Sequence, residues 1–88
     1  MIRVTSMPTV TVLYFAHMRE RLGRDRDRVE VPASADAAAI TAAIAVRHPT
    51  ETATLARCRI AVDHAFVQGQ VHIGADAEIA VIPPVSGG

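Results

Sequence analysis

The last nine residues of the chain, AVIPPVSGG, have the types and spacing that most suggest chemistry. Pro83 and Pro84 fix φ and exclude helix, so we expect the chain to leave its last strand in an extended form. At about 3.3 Å per residue, the segment 83–88 projects up to about 20 Å. Gly87 and Gly88 lack a Cβ, which makes the end of the chain thin and leaves the α-carboxylate of Gly88 unhindered.

This tail is therefore predicted to enter a partner protein, with the Gly88 carboxylate as its reactive group and five residues threading behind it: Pro83, Pro84, Val85, Ser86 and Gly87. A carboxylate becomes a good electrophile only after activation, usually adenylation by ATP, and its carbonyl then accepts sulfide or a thiol. All nine basic residues are arginine, so no side-chain amine competes for the activated group. An inert, fraying terminus is the alternative for a glycine pair taken alone.

The remaining candidates for chemistry form no recognisable site. The chain has four histidines without metal-ligand spacing, His17, His48, His64 and His72, and a single cysteine, Cys58. His48 is explained by the favourable charge at a helix C-terminus, and Cys58 is interpreted as a small buried hydrophobe. We therefore predict no metal, no cofactor bound by the chain itself, and no catalysis by the domain.

Length and composition narrow the class of protein. Eighty-eight residues form one small domain, and half of them are hydrophobic. No apolar run approaches the roughly 18 residues of a membrane span, and the start lacks the apolar stretch of a secretion signal. The zero net charge argues against nucleic acid and anionic membranes as partners. One cysteine precludes an intramolecular disulfide, which fits a cytoplasmic location.

Residue patterns predict an α+β domain. Alternating apolar residues indicate strands at 9–16, 28–31, 59–62 and 77–82, with a short strand in AFV at 65–67. A short helix is expected from His17 to Gly23. The main helix is expected to begin at an N-cap, Ser34 or Asp36, and to stop at Pro49. The charged run RDRDR at 24–28 is interpreted as a solvated loop, and 50–58 as a loop or a helical turn.

One helix covers only one face of a mixed sheet, yet the first and last strands are apolar on both faces. We infer that the second face meets a partner protein, with Phe15, Phe66 and Ile82 as candidate contacts. The alternative is that these three side chains fold into the core of the domain itself.

Three segments, VLYFAHMRERLG, IAVDHAFV and AEIAVIPPVSGG, carry a family resemblance that extends over residues 9–88. The chain resembles the small, sulfur-carrying subunits of molybdopterin synthase, which are ubiquitin-like β-grasp proteins. The resemblance implies a β-grasp domain at 9–82, with four to five strands and one main helix, and a reactive tail at 83–88. Residues 1–8 are then an N-terminal extension, and Met7 is an alternative start. Asp63, where the family commonly has asparagine, and the displaced turn glycine Gly74 depart from the pattern.

The resemblance also implies a function and partners. An activating enzyme would use ATP to adenylate Gly88 and convert it to a thiocarboxylate, which would donate sulfur to cyclic pyranopterin monophosphate to form molybdopterin. The large synthase subunit would hold this substrate and supply most catalytic groups, so the chain would be a non-catalytic, sulfur-donating subunit. Two small and two large subunits would form a heterotetramer, and Phe15, Phe66 and Ile82 occupy positions of apolar contact with the large subunit.

Three other functions stay open at this point. The same fold and terminal chemistry would serve a sulfur carrier for thiamine or cysteine biosynthesis. A ubiquitin-like modifier would conjugate Gly88 to lysines of its targets. A plain interaction domain would have an inert tail.

Overall fold

A computed structural model describes residues 7–84 of the chain. The described part contains three α-helices and seven strands. The helices are α1 (Ala16–Leu22), α2 (Ala37–Arg47) and α3 (Thr52–Ala56). The strands are β1 (Thr9–Tyr14), β2 (Arg26–Glu30), β3 (Ser34–Ala35), β4 (Arg59–Val62), β5 (Ala65–Phe66), β6 (Val71–His72) and β7 (Glu78–Ile82).

Five of these strands form one mixed sheet in the order β2-β1-β7-β4-β5, and β3 pairs with β6 in a separate ribbon. The central strand, β7, is parallel to its neighbour β1, with Leu13 opposite Ala80. All other pairs in the sheet are antiparallel. The C-terminal strand thus lies in the middle of the sheet, where neighbours hold it on both sides.

The main helix, α2, has the ends that its sequence predicts. Asp36 is the N-cap, and its carboxylate accepts a hydrogen bond from the backbone N–H of Ala39 at 2.9 Å. The helix ends at Arg47, two residues before Pro49. The shorter α1 is closed by Gly23, whose φ of 71° lies in the left-handed region that glycine adopts without strain.

The core lies between the helices and one face of the sheet, which we call the inner face. Helix α2 contributes Ile40 and Ile44, both fully buried, and α1 contributes Met18. Alternate residues of the strands meet them, in accord with the two-residue period of a strand. These inner-face residues are Val10, Val12, Tyr14, Val29, Ile60, Ile79 and Val81.

Three segments differ from or refine the sequence-based expectation. The interpretation of 24–28 as a solvated loop is wrong, because β2 begins at Arg26 and Asp27 is only 4% exposed. Alternation along β2 turns Asp27 inward together with Val29, which charge composition alone does not reveal. The ambiguous segment 50–58 is mostly helical, with a 3-10 turn at Pro49–Glu51 followed by α3. The β3–β6 ribbon was not expected, since two-residue strands carry too little pattern.

The predicted fold class is confirmed. A five-stranded mixed sheet with one main helix across its inner face is the β-grasp arrangement. The main strands and the helix lie close to their predicted positions, although β1 ends at Tyr14, two residues before the predicted end, and β2 begins at Arg26, two residues before the predicted start. Within residues 7–84, no helix has the length and apolar character needed to cross a membrane.

Candidate functional site: the outer sheet face and the base of the tail

The tail begins at the end of β7, in the centre of the sheet. Ile79 and Val81 are fully buried on the inner face, and β1 and β4 bond to β7 on either side. Pro83 is half-buried and Pro84 is exposed. The chain therefore leaves the domain from a rigid point. The predicted threading and reactive residues beyond it, Val85, Ser86, Gly87 and Gly88, lie outside the described residues.

The opposite face of the sheet, the outer face, carries an uncovered apolar surface next to this exit. We call it the outer patch and define it by six residues: Leu13, Phe15, Ala61, Phe66, Ala80 and Ile82. Phe15 and Phe66 are 43% and 44% exposed, and Ile82 is partly buried. The three sequence-predicted contacts thus lie on one surface and do not fold into the core.

Strand register explains why the outer patch is concave. Pairing places Leu13, Ala80, Ala61 and Phe66 in one row across four strands. The two alanines form a low floor between the larger Leu13 and Phe66, and the depression that results has a volume of about 240 Å³. A shallow apolar depression of this kind suits a protruding apolar side chain of another protein.

Arg59 completes this surface on the side where the tail emerges, and sequence reasoning missed it. Arg59 pairs with Ile82, the last residue of β7 before the tail. Its guanidinium carbon lies 3.6 Å from the centre of the Phe66 ring, a cation–π contact. The signal was available in the alternation of β4, which puts Arg59 and Ala61 on the outer face when Ile60 faces inward.

A polar border closes the other end of the outer patch. Asp63 and His64 form the two-residue turn between β4 and β5, with φ values of 49° and 75°. The Asp63 carboxylate accepts a hydrogen bond from the backbone N–H of Glu78 at 2.9 Å. Aspartate tolerates positive φ much as asparagine does, so Asp63 fits this turn despite its departure from the family pattern. His64 Nε2 lies 3.6 Å from a Glu78 carboxylate oxygen.

The other chemically interesting side chains lie apart from this surface. His17 and His72 are exposed, in α1 and β6. Cys58 is partly buried; its thiol donates to the Thr54 carbonyl at 3.4 Å, and burial raises the pKa of that thiol. In the region from residue 7 to residue 84, no three His, Cys, Asp or Glu side chains are grouped so that they could hold a metal ion.

A buried polar group on the inner face forms what we call the Asp27 cluster: Tyr14, Arg24, Asp27, Arg47 and His48. The Asp27 carboxylate accepts a hydrogen bond from the Tyr14 hydroxyl at 2.7 Å and bonds His48 Nε2 at 2.7 Å. Arg24 forms an ion pair with the same carboxylate, and Arg47 Nε lies 4.0 Å away. Burial alone would raise the pKa of Asp27, but hydrogen bonds from His48, Tyr14 and Arg24 outweigh it and hold the pKa below its usual value.

The Asp27 cluster joins the C-terminus of α2 to β1 and β2. His48 is the residue that caps α2, and its ring meets Tyr14 edge-on with 6.0 Å between ring centres. Burial and the Asp27 carboxylate both raise the pKa of Tyr14, which keeps its hydroxyl protonated as a donor. The role predicted for His48, at a helix C-terminus, is correct in position, but the histidine also bonds a specific carboxylate.

Comparison with known proteins agrees with this geometry. A model of the ThiS family matches residues 12–88. A molybdopterin synthase sulfur carrier subunit of Chlamydomonas reinhardtii is 32% identical over 81 residues, which covers 90% of this chain and 98% of the relative. The protein of the same name from Mycosarcoma maydis is 33% identical over 88 residues, which covers 92% of this chain and 95% of the relative.

Solved structures show the same fold. A putative molybdopterin converting factor, subunit 1, from Pyrococcus furiosus superposes with a TM-score of 0.74 at 27% identity, covering 89% of this chain and 99% of that one. Small archaeal modifier protein 1 of Haloferax volcanii superposes with a TM-score of 0.75 at 23% identity, covering 91% of this chain and 99% of that one. With its β-grasp sheet, its central last strand and a match that runs to Gly88, the chain belongs to the ThiS family.

Proposed function

We propose that this chain is the sulfur carrier of molybdopterin synthase and holds the transferred sulfur atom on Gly88. The observation that carries the proposal is the family match that runs through the tail to Gly88, together with a tail that starts from a rigid central strand. The two relatives named as sulfur carrier subunits of molybdopterin synthase, each matched over nine-tenths of this chain, favour this pathway over thiamine or cysteine biosynthesis.

The chemistry at Gly88 proceeds in two steps on an activating enzyme. A carboxylate oxygen of Gly88 attacks the α-phosphorus of ATP, forms an acyl adenylate and releases pyrophosphate. Sulfide, supplied by a sulfur donor, then attacks the carbonyl carbon and expels AMP, which leaves a thiocarboxylate. ATP belongs to the activating enzyme, and the chain contributes a thin, extended terminus that reaches its active site.

Sulfur transfer takes place in the large synthase subunit. The thiocarboxylate sulfur attacks an electrophilic carbon of cyclic pyranopterin monophosphate. The bond of this carbon to oxygen breaks as the oxygen takes the electron pair and a proton, and a thioester then joins carrier and substrate. Water then cleaves the thioester at the carbonyl carbon, which leaves the sulfur on the substrate and restores the Gly88 carboxylate. The carrier supplies the sulfur atom and the large subunit supplies the catalytic groups, in a heterotetramer of two small and two large subunits.

The outer patch is the docking surface for the large subunit in this proposal. Phe15, Phe66 and Ile82 surround the exit of the tail and are partly or largely uncovered. Burial of apolar surface stabilises association by roughly 25 cal/mol per Å² before the costs of binding are subtracted. Docking at this surface would direct Pro83 and Pro84, and with them the tail, into the partner.

Intact-mass spectrometry tests the carrier function. After incubation with a cognate activating enzyme, ATP and a sulfur donor, we expect the chain to gain the mass difference between one sulfur atom and one oxygen atom. The thiocarboxylated chain, mixed with the large subunit and cyclic pyranopterin monophosphate, should then form molybdopterin. Deletion of Gly87 and Gly88 should abolish both the mass gain and the product.

The chain offers a matched glycine control for this experiment. Gly74 lies in a loop, has ordinary φ, and has no atom within 4 Å of the position that a Cβ would occupy. We expect Gly74→Ala to gain sulfur and to support molybdopterin formation as the wild type does. Product formation by the chain that lacks Gly87 and Gly88 would contradict the proposal. Support of thiamine or cysteine synthesis in place of molybdopterin formation would contradict the pathway assignment.

A further inference from the structure

Arg59 is a cation at the edge of the outer patch, and this position favours contact with a group of opposite charge on a partner. Among residues 7–84, the guanidinium of Arg59 forms no ion pair and no side-chain hydrogen bond, whereas Arg21, Arg24 and Arg26 each have a carboxylate within 4.0 Å. A partner that covers the outer patch would also cover Arg59. An arginine buried in an interface without an acceptor is costly.

The contact with Phe66 prepares Arg59 for one kind of ligand. Because the guanidinium carbon lies 3.6 Å from the ring centre, the ring holds the side chain in place. The N–H groups lie in the plane of the guanidinium, so stacking does not use them. An immobilised arginine with unused in-plane donors matches a carboxylate, which accepts two parallel hydrogen bonds from it.

The length of the tail limits which molecule can meet this arginine. Arg59 lies opposite Ile82, at the base of the tail, and the reactive carboxylate lies up to about 20 Å further along an extended chain. With the tail extended into the large subunit, as the proposed function requires, a substrate held at Gly88 is out of its reach. The group that contacts Arg59 must belong to the protein surface at the entrance through which the tail passes.

We propose that Arg59 is a specificity-determining residue of the docking surface and pairs with an aspartate or glutamate of the large subunit at the entrance of the tail pocket. The inference rests on the proposed function, and it adds the chemistry of the partner surface. That surface has an apolar side chain for the depression of the outer patch and a carboxylate beside it, facing the stacked guanidinium. The pair fixes the register of docking, so that the tail is aligned with its entrance.

Calorimetric titration of the full chain with its large subunit tests this inference. We expect Arg59→Gln to weaken binding by about 10- to 100-fold and to reduce its dependence on salt concentration. Arg59→Lys should give an intermediate affinity, because lysine keeps the charge but loses the planar pair of donors. The thermal midpoint of each variant should match that of the wild type, which shows that the fold is intact.

Arg21→Gln is the matched control. Its loss changes the net charge equally, but Arg21 lies in α1, on the helix side of the sheet, and its side chain pairs with Glu51 at 2.7 Å. An affinity of Arg59→Gln within about threefold of that of Arg21→Gln would overturn the inference while leaving the carrier function intact. Failure of the wild type to bind the large subunit would overturn the proposed function itself.

A charge-reversal experiment identifies the partner group. Arg59→Glu should bind the wild-type large subunit more weakly than Arg59→Gln does, because it places two carboxylates together. Replacement of the facing acidic residue of the large subunit by arginine should restore binding to Arg59→Glu. If no acidic residue at the tail entrance restores binding when replaced in this way, the assignment of a carboxylate partner is wrong.

Discussion

The two faces of the sheet differ in how far the chain itself satisfies or covers their side chains. The inner face holds a charged group, the Asp27 carboxylate, but surrounds it with donors from β1, the C-cap of α2 and the residues before β2. The outer face holds apolar side chains, among them Phe15 and Phe66, and leaves them exposed. The chain thus satisfies its buried polar group by itself and leaves its apolar surface uncovered. The inner face, whose buried carboxylate is satisfied within the chain, maintains the fold. The outer face, whose apolar side chains stay exposed, is the one suited to a partner.

Two isoleucines of β7 give the largest expected contrast between these faces. Ile79 is fully buried on the inner face, and Ile82 is partly buried on the outer face. We expect Ile79→Ala to lower the free energy of unfolding by about 2–5 kcal/mol, out of a total of about 5–15 kcal/mol. Ile82→Ala should cost about 1 kcal/mol or less but weaken binding of the large subunit. Urea denaturation measures the loss of stability, and calorimetric titration measures the loss of affinity for the large subunit. Equal losses of stability for the two variants would contradict the assignment of folding to the inner face and docking to the outer face.

Asp27→Asn tests whether the inner face depends on its charge. The substitution removes the negative charge that Arg24 and His48 contact, so we expect a loss of about 2–3 kcal/mol in the free energy of unfolding. Tyr14→Phe, which deletes one donor, should cost about 1 kcal/mol. Asp25→Asn is the control, because Asp25 is exposed and its pairing with Arg26 is worth at most about 1 kcal/mol. A loss for Asp27→Asn as small as that of Asp25→Asn would show that the cluster does not stabilise the fold.

The dependence of stability on pH should come partly from the same carboxylate. The pKa of Asp27 in the folded chain lies below its ordinary value of 3.8, so the unfolded chain binds a proton at this site before the folded chain does. The contribution of Asp27 is therefore complete well above pH 3.8 and is lost as the pH falls below this value towards the folded pKa. In urea titrations at decreasing pH, the stability difference between the wild type and Asp27→Asn should shrink. A difference that stays constant would contradict the lowered pKa.

Ala16 lies in the chain between a residue of the outer patch and a residue of the core, and its substitution should give the smallest change in the free energy of unfolding. It follows Phe15 of the outer patch, precedes Met18 of the core by two residues, and has a φ of 52°. Alanine is strained in this region, so Ala16→Gly should raise the free energy of unfolding by about 0.5 kcal/mol after the greater entropy of the unfolded chain is subtracted. Ala42→Gly, at an exposed position of α2, should lower it by about 0.5–1 kcal/mol. Thermal midpoints that shift in the same direction for both variants would contradict strain at Ala16.

Much of the fold was predictable because its signals are local. Alternation located the main strands, the pattern offered Ser34 or Asp36 as the N-cap of α2 and Pro49 as its stop, and Gly23 closed α1; the structure selects Asp36. The position of Asp27 was not predictable, because RDRDR has the composition of a solvated loop and only the pairing of β2 with β1 turns Asp27 inward. The β3–β6 ribbon was missed for a related reason, since its two strands are held by contacts between residues 36 to 38 positions apart.

The individual residues of the site were more predictable than the way in which the fold brings them together. The apolar character of both faces of the first and last strands predicts that one face meets a partner, and the three predicted contacts, Phe15, Phe66 and Ile82, do share one surface. The role of Arg59 was missed: the alternation of β4 places this residue on the outer face, but its stacking on Phe66 depends on the pairing of β4 with β5. The prediction that Gly88 is the reactive residue stays a prediction, and so do the roles of the five residues before it.

The sequence by itself determined the local features: the ends of the helices, the strand pattern, and a tail whose prolines and glycines favour an extended, thin form. These depend on backbone conformations that each residue type allows, so no distant contact is needed. Only the tertiary structure decided which apolar face α2 covers, and which donors reach Asp27 from 13 residues before it and 21 residues after it. The sheet order brings those groups together, and the same order leaves Phe66 and Arg59 beside the exit of the tail.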